Sequence, residues 1–222
     1  MQLQIAPSIL AADFLRLEKD IRMLNAQADL IHLDVMDGTL VPNISFGFPI
    51  IDAVSTIAEI PMDVHLMIVH PEKYFERVVK SGASLVSFHL EAAQEEGSDP
   101  AALVEQIHAL GAKAGIAINP DCPVEKVLPY VRLADFILVM SVFAGFGGQK
   151  FIEATHERIR AVKAEIDRIG SNCQIEVDGG VNEANAPLLA ADGASMLVAG
   201  SSVFRASDPG AVITSLRGAP RA

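Results

Sequence analysis

The stretch Leu30-Ile31-His32-Leu33-Asp34-Val35 sets the reading of this chain. Side chains alternate across a strand, so Ile31, Leu33 and Val35 share one face and His32 and Asp34 the other. That pattern suits a strand with helices on one side and an enclosed interior on the other. Seven further runs read as strands: Leu3–Ser8, Met62–Met67, Leu85–Leu90, Lys113–Ile118, Phe136–Met140, Gln174–Asp178 and Met196–Gly200. Most are rich in Val, Ile and Leu, as doubly buried parallel strands are.

Helical patterns lie between them. Phe14, Leu17, Ile21 and Leu24 recur at helical spacing, with Asp13 placed to cap. Leu103, Ile107 and Leu110 do the same, as do Ile159, Val162, Ile166 and Ile169. Pro71 and Pro100 stand where a first helical turn begins, and Gly82, Gly111 and Gly193 where a helix ends. Eight strands alternating with helices predict an α/β fold of the (β/α)8 TIM-barrel type, one domain over residues 1–222. A doubly wound sheet usually has a Gly-rich turn after its first strand. Here Pro7-Ser8-Ile9-Leu10 follows instead.

Composition narrows the function. The chain has 222 residues, 50% hydrophobic and 20% charged, with ordinary counts of Gly and Pro, enough for a large core. A net charge of -11 argues against nucleic acid, because phosphate backbones need basic surface. No run of 18 apolar residues exists, so no membrane span is expected. The start, Met1 to Pro7, lacks the basic region of a signal peptide, and a cytoplasmic enzyme is expected. Cys122 and Cys173 are too few for a disulfide scaffold, and their places at opposite barrel ends predict that they do not bridge.

In a barrel the chemistry sits at the C-terminal ends of the strands. His32 and Asp34 on the second strand, His65 near the end of the third and Asp178 at the end of the seventh converge there. Each alone is as well read as a hydrogen-bonded core group. Together, two His and two Asp suit a divalent cation such as Zn2+, Fe2+, Mn2+ or Co2+. Asp63 and Glu176 are read as supports, His89 equally as a support or a packed core histidine, and Asp37 as a turn or supporting residue. Three glycine clusters follow consecutive strands: Gly145-Phe146-Gly147-Gly148, Gly179-Gly180, and Gly200-Ser201-Ser202. Tight turns alone would explain any one of them. Three together predict backbone amides around a phosphate, with helices expected to start over 184–191 and 202–205. Lys150 and Arg205 lie near. Met36, Met67 and Met140 stand at strand ends, where they would form an apolar floor. The set suits proton abstraction beside a ketone, with one carboxylate taking the proton and the other returning it on the opposite face.

The motifs His32-Leu-Asp-Val-Met-Asp-Gly38, Val41-Pro-Asn43, Asp63-Val-His-Leu-Met67, Gly145-Phe-Gly-Gly-Gln149 and Glu176-Val-Asp-Gly-Gly-Val181 resemble the ribulose-phosphate 3-epimerase family. The resemblance runs from Pro7-Ser8 to Phe204. It implies interconversion of ribulose 5-phosphate and xylulose 5-phosphate, with one divalent metal ion per subunit held by His32, Asp34, His65 and Asp178. It further implies Asp34 as proton acceptor and Asp178 as donor, exchanging roles in reverse. Ser8 and His65 would touch the sugar. Gly145, Phe146, Gly147, Gly148, Asp178, Gly179, Gly180, Gly200 and Ser201 would hold the rest of the substrate. A homo-oligomer is also implied. The chain departs from the family pattern at Phe143-Ala144, where Asn or His followed by Pro is common. Without proline's fixed φ the loop after the sixth strand is expected to be looser. At Leu40 an aromatic residue is more usual.

Two other readings remain. An epimerase of a hexulose phosphate, such as allulose 6-phosphate, would use the same residues. A phosphate-binding barrel lyase needs an inward lysine. Met36 stands where the related decarboxylases place one, and Lys113 lies at the wrong end of its strand.

Overall fold

The computed structural model describes residues 3–218; residues 1, 2 and 219–222 of the expected domain lie outside the described residues. Eight parallel strands run β1 Gln4–Pro7, β2 Ile31–Met36, β3 Met62–Met67, β4 Ala83–His89, β5 Lys113–Ile118, β6 Phe136–Met140, β7 Gln174–Asp178 and β8 Met196–Ala199. Their order is β1-β8-β7-β6-β5-β4-β3-β2, and a parallel bridge from Ser8 to His32 closes the sheet into a barrel. The helices are α1 Leu17–Gln27, α2 Phe48–Ser55, α3 Phe75–Lys80, α4 Leu90–Glu95, α5 Pro100–Ala109, α6 Thr155–Ile169, α7 Ala186–Asp192, α8 Ser201–Phe204 and α9 Pro209–Arg217.

Alternation along each strand separates two apolar regions. Ile31, Leu33, Val64, Leu66, Val86, Ile116, Ile137 and Val177 face outward and pack with Ile21, Leu24, Val104, Ile107, Ile159 and Val162 of the helices. Burying each such aliphatic side chain stabilises the fold by about 1.5–3 kcal/mol. The inward residues Ala6, Leu85, Ala117, Phe136, Leu138, Met196 and Val198 form a second cluster inside the barrel. Gly115 allows this filling. A Cβ there would meet Phe136 Cζ at 2.2 Å, so the absence of a side chain on β5 admits the ring from β6.

Three local expectations need correction. Asp13 caps a 3-10 turn at Phe14–Arg16, accepting from the Leu15 N–H, rather than α1 itself. Pro71 begins a 3-10 turn that precedes α3. The connection from β5 to β6 contains two 3-10 turns, Val124–Lys126 and Leu128–Tyr130, and no α-helix. Pro120, Pro123 and Pro129 explain this, since each removes an N–H that a helix would use. Pro100 opens α5 as expected, and Gly82, Gly111 and Gly193 take positive φ just after helices. Both cysteines are buried and free.

Candidate active site

At the C-terminal ends of β2, β3 and β7, one donor atom each from His32, Asp34, His65 and Asp178 lies within 4.8 Å of all the others. Parity explains the convergence: Asp34 pairs with His65 across β2 and β3, and both point inward. His32 Nε2 lies 3.2 Å from Asp34 Oδ1. His65 Nδ1 lies 3.4 Å from the same oxygen and 3.9 Å from Asp178 Oδ2. The Ser8 hydroxyl donates to Asp34 Oδ2 at 2.5 Å, so both carboxylate oxygens are held.

Beneath this cluster lies a support. His32 Nδ1 is 2.6 Å from Asp63 Oδ2 and 3.9 Å from Glu176 Oε1, all fully buried. These three also come close enough to be considered as a cation site. The 2.6 Å contact is a hydrogen bond, which occupies Nδ1 and turns Nε2 toward Asp34. His65 Nε2 in turn lies 2.9 Å from His89 Nε2, and the two rings stack with centroids 5.0 Å apart.

The electrostatics separate the two upper carboxylates. Burial alone would push Asp34 up, but the charge of His32, its close contact and the nearby His65 outweigh it and hold the carboxyl well below the usual range. At Asp178 burial, then the neighbouring charge of Asp34, outweigh the opposing charge of His32 and push the carboxyl up to about 7. His32 is held above its ordinary value: burial lowers it, but Asp34 and Asp63 more than compensate. Burial pushes His65 down to about 4. Burial and then Asp63 push Glu176 well above the usual carboxylate range.

The four upper residues fit a divalent cation. His65 Nδ1 is buried without a hydrogen-bond partner, yet it is aimed at two carboxylates. Two imidazole nitrogens and two carboxylate oxygens are a donor set that such ions accept.

Above the cluster opens a cavity. Ser8, Asp34, Gly145, Phe146, Gly147, Gly148, Asp178, Gly179, Gly180, Gly200 and Ser201 line it, with Met36, Met67 and Met140 as its apolar floor. His32 and His65 are not in that lining. Both are fully buried. Gly180 takes φ +63, and a Cβ there would come within 2.7 Å of the Phe151 backbone nitrogen. The chain can turn back over the cavity only without a side chain at this position. The helices expected over 184–191 and 202–205 appear as α7 and the single turn α8; of the two, only α8 contributes to the cavity lining, through Ser201.

Sequence reasoning missed several participants. Ser45 Oγ donates to Asp34 O and accepts from Met36 N–H, pinning the end of β2. Ser141 Oγ donates to the carbonyls of Asp178 and Gly179, pinning the end of β7. Asn119 and Asn43 hold the loop after β6. Serine and asparagine outside strands carry no periodic signal, and only tertiary contact reveals them. Asp37 accepts from the N–H groups of Thr39, Leu40 and Val69, which makes it the turn residue expected.

A barrel with two carboxylates and two imidazoles under a glycine-lined mouth defines an enzyme of small anionic substrates. Residues 4–204 match the model of the ribulose-phosphate 3 epimerase family. The chain is 43% identical over 218 residues to a ribulose-phosphate 3-epimerase of Bacillus subtilis, covering 97% of this chain and 99% of that one. It is 42% identical over 213 residues to a protein of the same name from Mycobacterium tuberculosis, covering 96% and 91%. Among solved structures, KGPDC from Streptococcus mutans superposes with a TM-score of 0.73 over 98% of this chain and 97% of that one, at 9% identity, a likeness of fold alone. The chain belongs to the ribulose-phosphate 3-epimerase family.

Proposed function

We propose that Asp34 and Asp178 perform the two proton transfers by which this isomerase interconverts D-ribulose 5-phosphate and D-xylulose 5-phosphate. The observation that carries this reading is geometric: Asp34 from β2 and Asp178 from β7 line one cavity, and an oxygen of each comes within 4.8 Å of the other and of His32 and His65. In the forward direction Asp34 takes the proton from C3, and the electron pair of the broken C–H bond passes into the C2–C3 enediolate. Asp178 delivers a proton to the opposite face of C3, and the ketone re-forms. The two residues exchange roles in the reverse direction. Ser8 fixes the orientation of Asp34. The methionine floor keeps water from the reacting carbon.

His32, Asp34, His65 and Asp178 would hold one divalent ion, Zn2+, Fe2+, Mn2+ or Co2+. Such an ion, when bound, supplies positive charge to the oxygens that become negative during proton removal. The backbone around Gly145–Gly148, Gly179, Gly180, Gly200 and Ser201 would receive the phosphate end. The protein would work in the cytoplasm as a homo-oligomer of single-domain subunits. Among the described residues no helix is long and apolar enough to cross a membrane.

The test is a coupled assay with ribulose 5-phosphate and allulose 6-phosphate side by side, before and after chelator dialysis. The expected result is a strong preference for the pentulose, loss of activity on dialysis and recovery with a divalent metal. Equal or greater activity on the hexulose would reassign the substrate. Full activity in a verified metal-free protein would end the metal assignment.

A further inference from the structure

Asn119, just beyond the end of β5, sends its four polar groups to four places. Its N–H donates to Glu91 Oε1 at 2.7 Å, and its carbonyl accepts from Arg158 Nη2 at 2.7 Å. Its Oδ1 accepts from the Ala144 N–H at 3.0 Å. Its Nδ2 lies 3.4 Å from His89 Nδ1, and His89 is the residue stacked against His65. Backbone anchors on both sides leave the carboxamide little freedom. One residue therefore joins the histidine layer of the site to the loop after β6.

That loop has an unusual need for restraint. Ala144 precedes Gly145, which takes φ +125. A turn position just before a positive-φ glycine is one that proline commonly occupies, because its ring fixes φ in advance. Alanine does not fix φ, so the turn pays a larger ordering entropy. Alanine does keep an N–H, which proline lacks, and that N–H is the group Asn119 receives. The loop is also tied by Asn43 Nδ2 to the Gly145 carbonyl at 2.7 Å, and by Gln149 Nε2 to the carbonyls of Phe143 and Phe146. Neither of these ties reaches β5. The looseness expected from the missing proline is thus opposed by a specific bond.

We propose that Asn119 is a positioning residue that fixes the Phe143–Gly148 loop over the cavity, restraining Ala144 by a hydrogen bond where a proline would restrain it by covalent geometry. This rests on the reading that the loop meets the phosphate end of the substrate. Asn119 lies outside the cavity lining and acts through Ala144.

The test compares wild type, Asn119→Ala and the double variant Asn119→Ala/Ala144→Pro as metal-loaded proteins, each with its thermal midpoint measured. Loss of one net hydrogen bond corresponds to roughly a three- to tenfold effect. The expected result is that Asn119→Ala raises KM for ribulose 5-phosphate by about that factor, more than kcat falls. Proline at 144 should then return KM to within about twofold of wild type. Limited chymotrypsin digestion at the half-exposed Phe143 and Phe146 gives a readout free of turnover. Cleavage should be faster in Asn119→Ala and slow again in the double variant. An unchanged KM and unchanged cleavage in Asn119→Ala overturn the proposal. So does a KM increase that follows a lowered thermal midpoint and that proline does not rescue. If wild type fails to turn over ribulose 5-phosphate, the functional reading fails, and the cleavage pattern alone decides the role of Asn119.

Discussion

Inside the barrel, β2, β3 and β7 present His32, Asp34, Asp63, His65, Glu176 and Asp178, whereas β5, β6 and β8 present Ala117, Phe136, Leu138, Met140, Met196 and Val198. All but Asp178, which opens on the cavity, are buried, and both sets follow the same two-residue period. They differ in how the interior is satisfied. The apolar set is stabilised by close packing, in which Gly115 makes room for Phe136. The polar set concentrates charge that burial penalises; the Ser8–Asp34 and His32–Asp63 contacts offset part of that cost, while both Glu176 carboxyl oxygens are buried without a hydrogen-bond partner. Asp34 has His32, His65 and Ser8, while at Asp178 burial and the charge of Asp34 outweigh the opposing charge of His32 and leave the carboxyl poised. The two sets interleave around the barrel, since β7 lies between β6 and β8, and they separate stability from chemistry.

The largest expected difference is between substitutions in the two sets. Asp34→Asn or Asp178→Asn should lower kcat by about 10^2- to 10^4-fold, the range for loss of a proton-transferring group. The folded fraction of either variant should stay high by circular dichroism. Phe136→Ala should do the reverse. Removing a fully buried ring costs roughly 3–5 kcal/mol in denaturant unfolding, with turnover per folded molecule changed only a few-fold. Gly115→Ala, which drives a methyl into the same ring, should cost about 1–3 kcal/mol. A variant of the apolar set that loses turnover without losing stability would break the division.

A smaller effect concerns pH in the metal-free protein. Burial and the charge of Asp34 push Asp178 up to about 7 in the folded protein, against about 3.9 for an unperturbed aspartate. The folded state keeps a proton that the unfolded chain releases. Its contribution to stability is therefore full below about 4 and is lost as pH rises to about 7. His65, pushed down to about 4, works in the opposite sense between about 4 and 6.5. It is common to wild type and Asp178→Asn, so the difference between the two proteins isolates Asp178. Wild type should lose stability relative to the variant between pH 4 and pH 7. A difference that is flat or of opposite slope would contradict the poised state of Asp178.

Much of this arrangement was legible in the chain. The bounds of β3, β5, β6 and β7 match the apolar runs residue for residue, because doubly buried strands leave a dense Val, Ile and Leu signal. The parity of Ile31-His32-Leu33-Asp34 put both polar residues inside, and with them the four-residue cluster. The helix-free passage from β5 to β6 was not anticipated, since three prolines there act one by one rather than as a pattern. Ser45, Ser141 and Asn119 escaped notice because their partners are 11, 37 and 25 residues away in sequence.

The division of labour between Asp34 and Asp178 is tested most directly by solvent deuterium incorporation at C3 of ribulose 5-phosphate. Wild type, Asp34→Asn and Asp178→Asn would be compared at matched metal content in heavy water. The expected result is full incorporation with epimerisation in wild type, and loss of both in each variant. Normal exchange and normal turnover in both variants would contradict the two-carboxylate assignment.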